Sequence, residues 1–278
     1  MTIDARLKRL VISSPEVERV AKFYVDTFGY QAEMRGDEAR CDAAGRSLWI
    51  RSGRVNQLLE SHFVFADSAA LDRYIECLEK RRITFARQDG EGGSSIRIPD
   101  PDGRSVCFAV NVESPQVAGN GRTIEAHSAR LQHYAVRTPV PQALLDFYSH
   151  SLGFTVSDLV RDQDGELTAA FLRSDAEHHS LAIFRATELR FDHFSCETRD
   201  WYSLRDWADL MARRSIRLAW GIGRHGPGND TFFMVLDPDG NLAEISSDLE
   251  HCAPDRAVGS WDHRMETLNQ WGVAIMRS

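Results

Sequence analysis

Three residues whose side chains commonly bind metal ions lie in strand-like segments of the second half of the chain. They are His133 in RLQHYAV, His193 in LRFDHFSCE and Glu244 in NLAEISSD. Successive side chains of a strand point to opposite faces, so the three can converge if their faces line one cavity. Two neutral imidazoles and one carboxylate fill about half of an octahedral Fe(II) site and leave the other positions open. The pattern therefore predicts a metal site with these three ligands.

An internal repeat shows which elements must position these residues. The segment from Arg6 to Tyr30 aligns without a gap to the segment from Arg130 to Phe154, and the motif DPDG occurs in both halves. Self-similarity of this kind indicates two copies of one structural unit.

The repeat also tests the alternative that the candidate ligands are ordinary hydrogen-bonded core residues, which is the commoner role of a single buried histidine. The residues aligned with the three candidates in the first half are Arg9, His62 and Cys107. A purely structural requirement would recur in both halves. We therefore interpret the second half as specialised and the first half as a scaffold.

Each half is expected to begin with a strand and an amphipathic helix that ends at a glycine. Further strands follow, with a second helix over 67–82 or 199–214 and a final strand after the DPDG turn. The polar stretch SPQVAGNGRT predicts a linker, and the tail is too aromatic for a disordered end. The predicted divisions are a scaffold domain over 1–112, a linker over 113–128, a metal-site domain over 129–249 and a tail over 250–278.

Composition excludes several classes of protein. Lys and Arg number 33 against 41 Asp and Glu, a net charge of -8 without a basic run, which argues against nucleic acid as a partner. No apolar run approaches the roughly 20 residues of a membrane helix, and the start MTIDARLKR lacks the features of a signal peptide. The five cysteines include no CxxC pair and are expected to be reduced and structural. We expect a cytoplasmic protein without a membrane or nucleic-acid partner.

The duplicated βαβββ pattern resembles the vicinal oxygen chelate superfamily, which includes glyoxalase I, antibiotic-resistance proteins and extradiol ring-cleaving dioxygenases. This resemblance covers essentially the whole chain, and the functional second half is most similar to the type I extradiol dioxygenases that act on catechol or dihydroxybiphenyl. It implies an α+β fold in which tandem βαβββ modules form two curled mixed-sheet funnels. It also implies that His133, His193 and Glu244, which match that family's ligand positions, bind iron.

The same resemblance implies roles for two further histidines. His179, in HHSLAIF, matches the family's acid/base histidine, and an imidazole can exchange a proton with a catechol hydroxyl near neutral pH. The alternative is that His178 and His179 form a polar strand end. His225, in GRHGPGND, matches a histidine that borders the substrate, and a phosphate-binding loop is the disfavoured alternative because no lysine follows.

The predicted substrate pocket also includes His178, Asn229 and Met234. Met234 marks a departure, because many ring-cleaving relatives have a tyrosine ten residues before the glutamate ligand. Methionine has no O–H donor, so this difference bears on the rate or even the type of reaction. In the tail, Arg256, Trp261, His263 and Trp271 are expected to close the mouth of the pocket, to contact an acidic substituent, or simply to pack.

The sequence thus predicts an Fe(II)-dependent extradiol dioxygenase that acts on a small aromatic diol with O2. Mn(II) is a possible replacement metal, and a homo-oligomer is expected. Two alternatives remain open: an oxygen-independent lyase or isomerase that keeps the metal, and a small-molecule-binding protein of the resistance type. The aromatic substrate and its metabolic context are not predicted.

Overall fold

The computed structural model describes residues 3–90, 93–111 and 127–276. The predicted linker therefore lies almost entirely outside the described residues. Among the described residues, no helix is both long and apolar enough to span a bilayer.

The first half forms one eight-stranded mixed sheet in the order β2-β3-β4-β1-β5-β8-β7-β6. Its elements are β1 (Arg6–Ser14), α1 (Val17–Phe28), β2 (Gln31–Arg35), β3 (Glu38–Ala43), β4 (Arg46–Ser52), β5 (Gln57–Phe65), α2 (Ser68–Lys80), β6 (Ala86–Gly90), β7 (Gly93–Pro99) and β8 (Ser105–Val110).

The second half repeats this arrangement in a nine-stranded sheet, ordered β14-β15-β16-β13-β9-β12-β11-β10-β17. Its elements are β9 (Arg130–Thr138), α3 (Pro141–Asp146, extended by a π-helical turn over Phe147–Ser151), β10 (Thr155–Arg161), β11 (Leu167–Arg173), β12 (Leu181–Arg185), β13 (Arg190–Glu197), α4 (Trp201–Arg213), β14 (Trp220–Arg224), β15 (Thr231–Leu236) and β16 (Leu242–Ser247). The tail adds β17 (Gly259–Asp262), which pairs in parallel with β10, and α5 (Met265–Leu268).

Local sequence explains where the helices begin and end. The side chains of Asp67 and Asp200 each accept a hydrogen bond from the backbone N–H three residues later, which caps α2 and α4. Helix α1 ends at Gly29, whose φ of 70° is the left-handed conformation that glycine adopts readily. The second helices predicted from sequence therefore begin and end within two residues of the observed ones.

Two mixed sheets built from tandem βαβββ modules confirm the predicted fold class. The structure also adds a detail: each half contains two such modules, because β5, α2, β6, β7 and β8 form a second complete unit. The first strands of the two modules in a half, β1 with β5 and β9 with β13, pair antiparallel at the centre of each sheet.

Strand register corrects one assignment made from sequence. Val11 pairs with Glu60 in the first sheet, as Ala135 pairs with His193 in the second, and each pairing lies beside a register shift. The first-half counterpart of His193 is therefore Glu60, two residues earlier than the aligned His62. The sequence alignment missed this because insertions between the repeats obscure the offset on this strand.

The two halves share one hydrophobic core. The Tyr24 ring packs against Phe194, with ring centroids 5.7 Å apart, and the Tyr24 hydroxyl donates to Asp237 of the other half at 3.0 Å. The Tyr134 hydroxyl donates to Ser61 at 3.1 Å across the same boundary. Because buried aromatic side chains contribute much of the apolar area in a core, each half stabilises the other.

Candidate metal centre

The three predicted ligands lie on neighbouring strands of the second sheet and come together at its centre. The Nε2 atoms of His133 (β9) and His193 (β13) are 3.2 Å apart, and Nε2 of His133 is 3.6 Å from Oε1 of Glu244 (β16). All three side chains are buried. One ligand atom from each residue lies within 4.8 Å of the others, close enough to share one ion.

Neighbouring side chains orient both imidazoles. The amide nitrogen of Gln132 donates to the carbonyl oxygen of His179 at 2.6 Å, so its Oε1 is left to accept from Nδ1 of His133 at 2.5 Å. The Asp192 carboxylate accepts from Nδ1 of His193 at 2.6 Å and from Arg137 at 2.5 Å. With Nδ1 protonated in both rings, each Nε2 presents a lone pair toward Glu244, the arrangement usual around histidine ligands.

The donor set fits a divalent cation. Both carboxylate oxygens of Glu244 are buried, and neither accepts a hydrogen bond from the described residues. A buried carboxylate without a partner is strongly unfavourable, and two imidazole lone pairs that face each other repel. A cation between the three groups removes both penalties. Two histidines and one carboxylate are the ligand set typical of non-haem Fe(II) sites.

Charge states in the site agree with this interpretation. Burial lowers the pKa of His133 to about 3, although the charge of Glu244 opposes the shift. Burial alone would raise the pKa of Glu244, but the surrounding imidazoles, His225 first, hold it below its usual value. At neutral pH the site therefore offers a neutral imidazole and an ionised carboxylate, the forms in which these residues bind metals.

His179 lies beside the three ligands. Its ring centroid is 4.3 Å from that of His133, and it packs in a T-shaped arrangement with Phe171 at a centroid distance of 5.1 Å. Burial lowers the pKa of His179 well below its usual value, with smaller contributions from the neighbouring histidines, so the ring is neutral. The imidazole borders the cavity described below, where a neutral ring can accept a proton.

His225 approaches the site from the loop between β14 and β15. Its Nδ1–H donates to the carbonyl of Leu268 at 2.6 Å, and its ring stacks on Phe232 with centroids 3.8 Å apart. Its Nε2 is 3.7 Å from Oε2 of Glu244, too far for a hydrogen bond. Burial would lower the pKa of His225, but the charges of Asp230 and Glu244 raise it above the usual value. His225 is therefore suited to donate a proton or a hydrogen bond.

Asp230 is a site residue that the sequence reasoning missed. Its two carboxylate oxygens are buried without a hydrogen bond to another described residue, and it forms a second ligand-type cluster with His225 and Glu244. Burial raises its pKa. The sequence did offer a signal, because Asp230 lies between the glycine-rich segment GRHGPGN and the apolar strand TFFMVL.

A small cavity opens beside these side chains. It has a volume of about 20 Å³ and is lined by His133, Phe171, His179, Ala182, Phe184, His193, His225, Pro227 and Leu268. Space of this size holds about one water molecule. An aromatic substrate therefore enters only if lining side chains move, and Leu268 belongs to the C-terminal tail.

Three residues predicted for the substrate pocket lie elsewhere. Asn229 is exposed, with φ of 54°, and its carbonyl accepts from Arg224 at 2.6 Å; the turn points it outward and buries Asp230 instead. His178 is fully buried behind His179, and Met234 is buried in the apolar cluster that includes Trp220 and Phe232. In this conformation His178, Asn229 and Met234 do not line the cavity.

The tail packs against the loop that carries His225, and Trp261 is one of the residues that make this contact. Trp261 and the carbonyl of Thr267 pack so closely on Gly226 that an added Cβ would lie 2.8 Å from each. Arg256 forms ion pairs with Asp158 and Glu250, whereas Trp271 is half exposed at the surface. Leu268 is the tail residue that borders the cavity.

The equivalent position in the first sheet is filled by a charged network. Nδ1 of His62 contacts the Arg9 guanidinium at 2.9 Å, and its Nε2 contacts Glu60 at 2.7 Å. Arg51 and Arg97 donate to Glu60 at 2.7 Å and 2.5 Å. Glu60, His62 and Cys107 lie close enough to share an ion. The surrounding guanidinium groups supply the positive charge that a cation would supply in the second sheet, so this cluster disfavours a metal.

Comparisons with known proteins agree with the geometry of the second half. Residues 130–245 match the family model of the Glyoxalase/Bleomycin resistance protein/Dioxygenase superfamily. Metapyrocatechase 2 of Cupriavidus necator is 25% identical, over 92% of this chain and 85% of the relative. Biphenyl-2,3-diol 1,2-dioxygenase of Paraburkholderia xenovorans is also 25% identical, over 87% of this chain and 85% of the relative.

Among solved structures, homoprotocatechuate 2,3-dioxygenase of Brevibacterium fuscum in its complex with 3,4-dihydroxyphenylacetate superposes with a TM-score of 0.80. It is 22% identical, and the match covers 99% of this chain and 91% of that chain. Residues 130–245 are therefore similar to the Glyoxalase/Bleomycin resistance protein/Dioxygenase superfamily, and 99% of the chain has a fold similar to that of homoprotocatechuate 2,3-dioxygenase.

Proposed function

We propose that this protein is an extradiol dioxygenase that cleaves a catechol-type aromatic ring with O2. The observation that carries the proposal is the convergence of two oriented imidazoles on a buried carboxylate whose oxygens accept no hydrogen bond from the described residues. The relatives support it, because those named above are a metapyrocatechase, a biphenyl-diol dioxygenase and a homoprotocatechuate dioxygenase.

Fe(II) is the metal proposed for His133, His193 and Glu244, with Mn(II) as a possible replacement. The mixed nitrogen and oxygen donors suit either ion. When bound, such an ion would hold the diol and O2 together and would lower the pKa of a diol hydroxyl.

The side chains around the three ligands have separate proposed roles in proton transfer, hydrogen bonding to the substrate and exclusion of water. His179 is neutral and borders the cavity, so it can take a proton from a diol hydroxyl and later return it. His225, whose pKa is raised, can donate a hydrogen bond to an oxygen atom of the substrate. Phe171, Ala182 and Phe184 form an apolar wall that excludes water from the reacting ring.

The test is an oxygen-electrode screen over substituted catechols with protein loaded anaerobically with Fe(II), and separately with Mn(II). We expect stoichiometric O2 uptake and a yellow ring-opened product. Turnover of a substrate in the absence of O2 would instead indicate a metal-dependent lyase or isomerase. Ligand binding that survives chelation, without turnover of any catechol, would indicate a binding protein.

We further propose a cytoplasmic location and a homo-oligomeric state. Sedimentation equilibrium of the purified protein tests the second, and a single monomeric species at micromolar concentration would contradict it.

A further inference from the structure

A line of buried polar contacts runs from the cavity to the C-terminal tail. Nδ1 of His179 is 3.0 Å from Nδ1 of His178, and Nε2 of His178 is 3.2 Å from Oδ2 of Asp158 on β10. Each of these three side chains is at most 2% exposed. Among the described residues, Asp158 is the only polar contact of Nε2 of His178, although the N–H is not aligned for a linear bond.

Asp158 anchors the outer end of this line. Its carboxylate accepts from Trp261 Nε1 at 2.7 Å and from the backbone N–H of Gly259 at 3.2 Å, and it pairs with Arg256 at 3.0 Å. Burial alone would raise the pKa of Asp158, but His178, Trp261 and Arg256 hold it below its usual value. Asp158 is therefore an ionised carboxylate, which can only accept hydrogen bonds.

Hydrogen-bond polarity then fixes the protons along the line. Facing a carboxylate, Nε2 of His178 is the nitrogen that holds the hydrogen. A neutral imidazole has a single N–H, so Nδ1 of His178 is an acceptor. Two acceptor nitrogens at 3.0 Å would repel, and Nδ1 of His179 must therefore be the donor. The unprotonated nitrogen of His179 is then Nε2.

We propose that Asp158 and His178 are positioning residues that hold His179 in its Nδ1–H tautomer, with the Nε2 lone pair free to act as a base. This inference rests on the proposed function for its catalytic meaning, but the tautomer itself does not depend on it. The arrangement also links the base to the tail, because Gly259, Trp261 and Arg256 all hold Asp158.

The test reads the tautomer directly by ¹⁵N-histidine NMR of the metal-free protein at pH 8. The signals of His178 and His179 are assigned by single substitutions. We expect Nδ1–H with bare Nε2 for His179 and the opposite tautomer for His178. In Asp158→Asn the amide can donate to Nε2 of His178, so both tautomers should reverse or become mixed.

A pair of substitutions at His178 separates hydrogen bonding from packing. His178→Gln retains an oxygen that accepts from His179 and an amide that donates to Asp158, so it should keep the His179 tautomer. His178→Leu has similar bulk without these groups and should lose it. Asp237→Asn is the control for the loss of a buried carboxylate, because Asp237 bonds to Tyr24 and Asn241 away from the cavity.

Kinetics of the Fe(II)-loaded protein provide the second readout. Asp158→Asn and His178→Leu should lower kcat on a cleaved catechol by roughly 10–100-fold with little change in KM, as for partners that orient a functional histidine. His178→Gln should recover most of the loss, and Asp237→Asn should match the unmodified protein.

Three results would overturn the proposal: an Nε2–H on His179, a doubly protonated His178 at pH 8, or a tautomer that is the same in all variants. If Asp158→Asn does not fold by circular dichroism, the two His178 variants decide the question. If the tautomers are as expected but no variant cleaves any catechol, the positioning is correct and the proposed function is wrong.

Discussion

At the residue scale, the site depends on how three side chains are held before any ion binds. Gln132 and Asp192 each accept from the Nδ1–H of a ligand histidine, so the lone pairs already face Glu244. Such pre-orientation lowers the cost of binding a metal.

Replacing His133, His193 or Glu244 singly by alanine should sharply reduce iron occupancy, since each change removes one of three protein ligands. Iron per chain after anaerobic loading and desalting measures this. His62→Ala is the matched control, because its ring is held by Arg9 and Glu60 in the other sheet. Stoichiometric iron in the triple variant, or its loss in His62→Ala, would refute the assignment.

His179→Ala should keep its iron and still bind a catechol, but turn it over slowly. General acid/base groups typically contribute ~10²–10⁴-fold, and this loss should fall on kcat rather than on metal content. Iron analysis and oxygen uptake at saturating substrate check the two halves of the expectation. Unchanged turnover would remove His179 from the mechanism.

Met234→Tyr should raise cleavage of simple catechols and alter substrate preference, because it adds an O–H donor at the strand position paired with Glu244, although Met234 itself does not line the cavity. A hydrogen bond to a charged oxygen contributes roughly 1.5–3 kcal/mol. Met234 is fully buried, so the larger ring should also cost about 1–3 kcal/mol of stability. Met234→Phe adds the ring without the hydroxyl; if it raises the rate equally, the hydroxyl explanation fails.

The sequence was sufficient to predict that His133, His193 and Glu244 converge, because alternation along a strand decides which side chains share a face. It was insufficient for the loop after His225. There the backbone adopts the left-handed conformation at Gly228 and Asn229. This turn directs the side chain of Asn229 toward solvent and that of the next residue, Asp230, toward the interior. The sequence favoured Asn229 for the pocket, whereas the fold buries Asp230.

At the element scale, the tail and the loop between β14 and β15 are packed as one layer over the cavity. Besides the His225 contact, the N–H of Gly226 donates to Thr267 and that of Gln270 donates to Arg224. An aromatic substrate can therefore be buried beside the three ligands only if the tail and this loop move away from the cavity.

Gly226→Ala should loosen the tail, because the new Cβ would lie 2.8 Å from both the Trp261 ring and the Thr267 carbonyl. We expect faster tryptic cleavage within the tail and a changed KM with iron retained. Gly272→Ala is the control, since its nearest contact would be an ordinary 3.7 Å. Equal cleavage rates in the two variants would show that this packing does not hold the tail.

Helix boundaries were predictable because capping aspartates and a terminal glycine are local signals. Strand register was not, because it depends on a shift between paired strands that no local signal marks. That shift is why Glu60 rather than His62 corresponds to His193.

At the scale of the whole molecule, the two sheets are expected to be interdependent. Tyr24, Phe63, Tyr134 and Phe194 belong to one core that neither half completes alone. Residues 1–112 and 127–278, expressed together as separate chains, should co-purify as a complex that binds iron. Each expressed alone should aggregate or lack cooperative unfolding. A second half that is stable and binds iron by itself would contradict this expectation.

The arginines around Glu60 and His62 make the first half independent of a metal ion for its charge balance. A guanidinium keeps its charge at any physiological pH and no chelator removes it. The charge of Glu60 is therefore balanced by Arg51 and Arg97 from the chain itself, whereas the oxygens of Glu244 accept no hydrogen bond from the described residues. On the proposed function, a change in metal supply would therefore alter the charge balance of the second half and leave that of the first half unchanged.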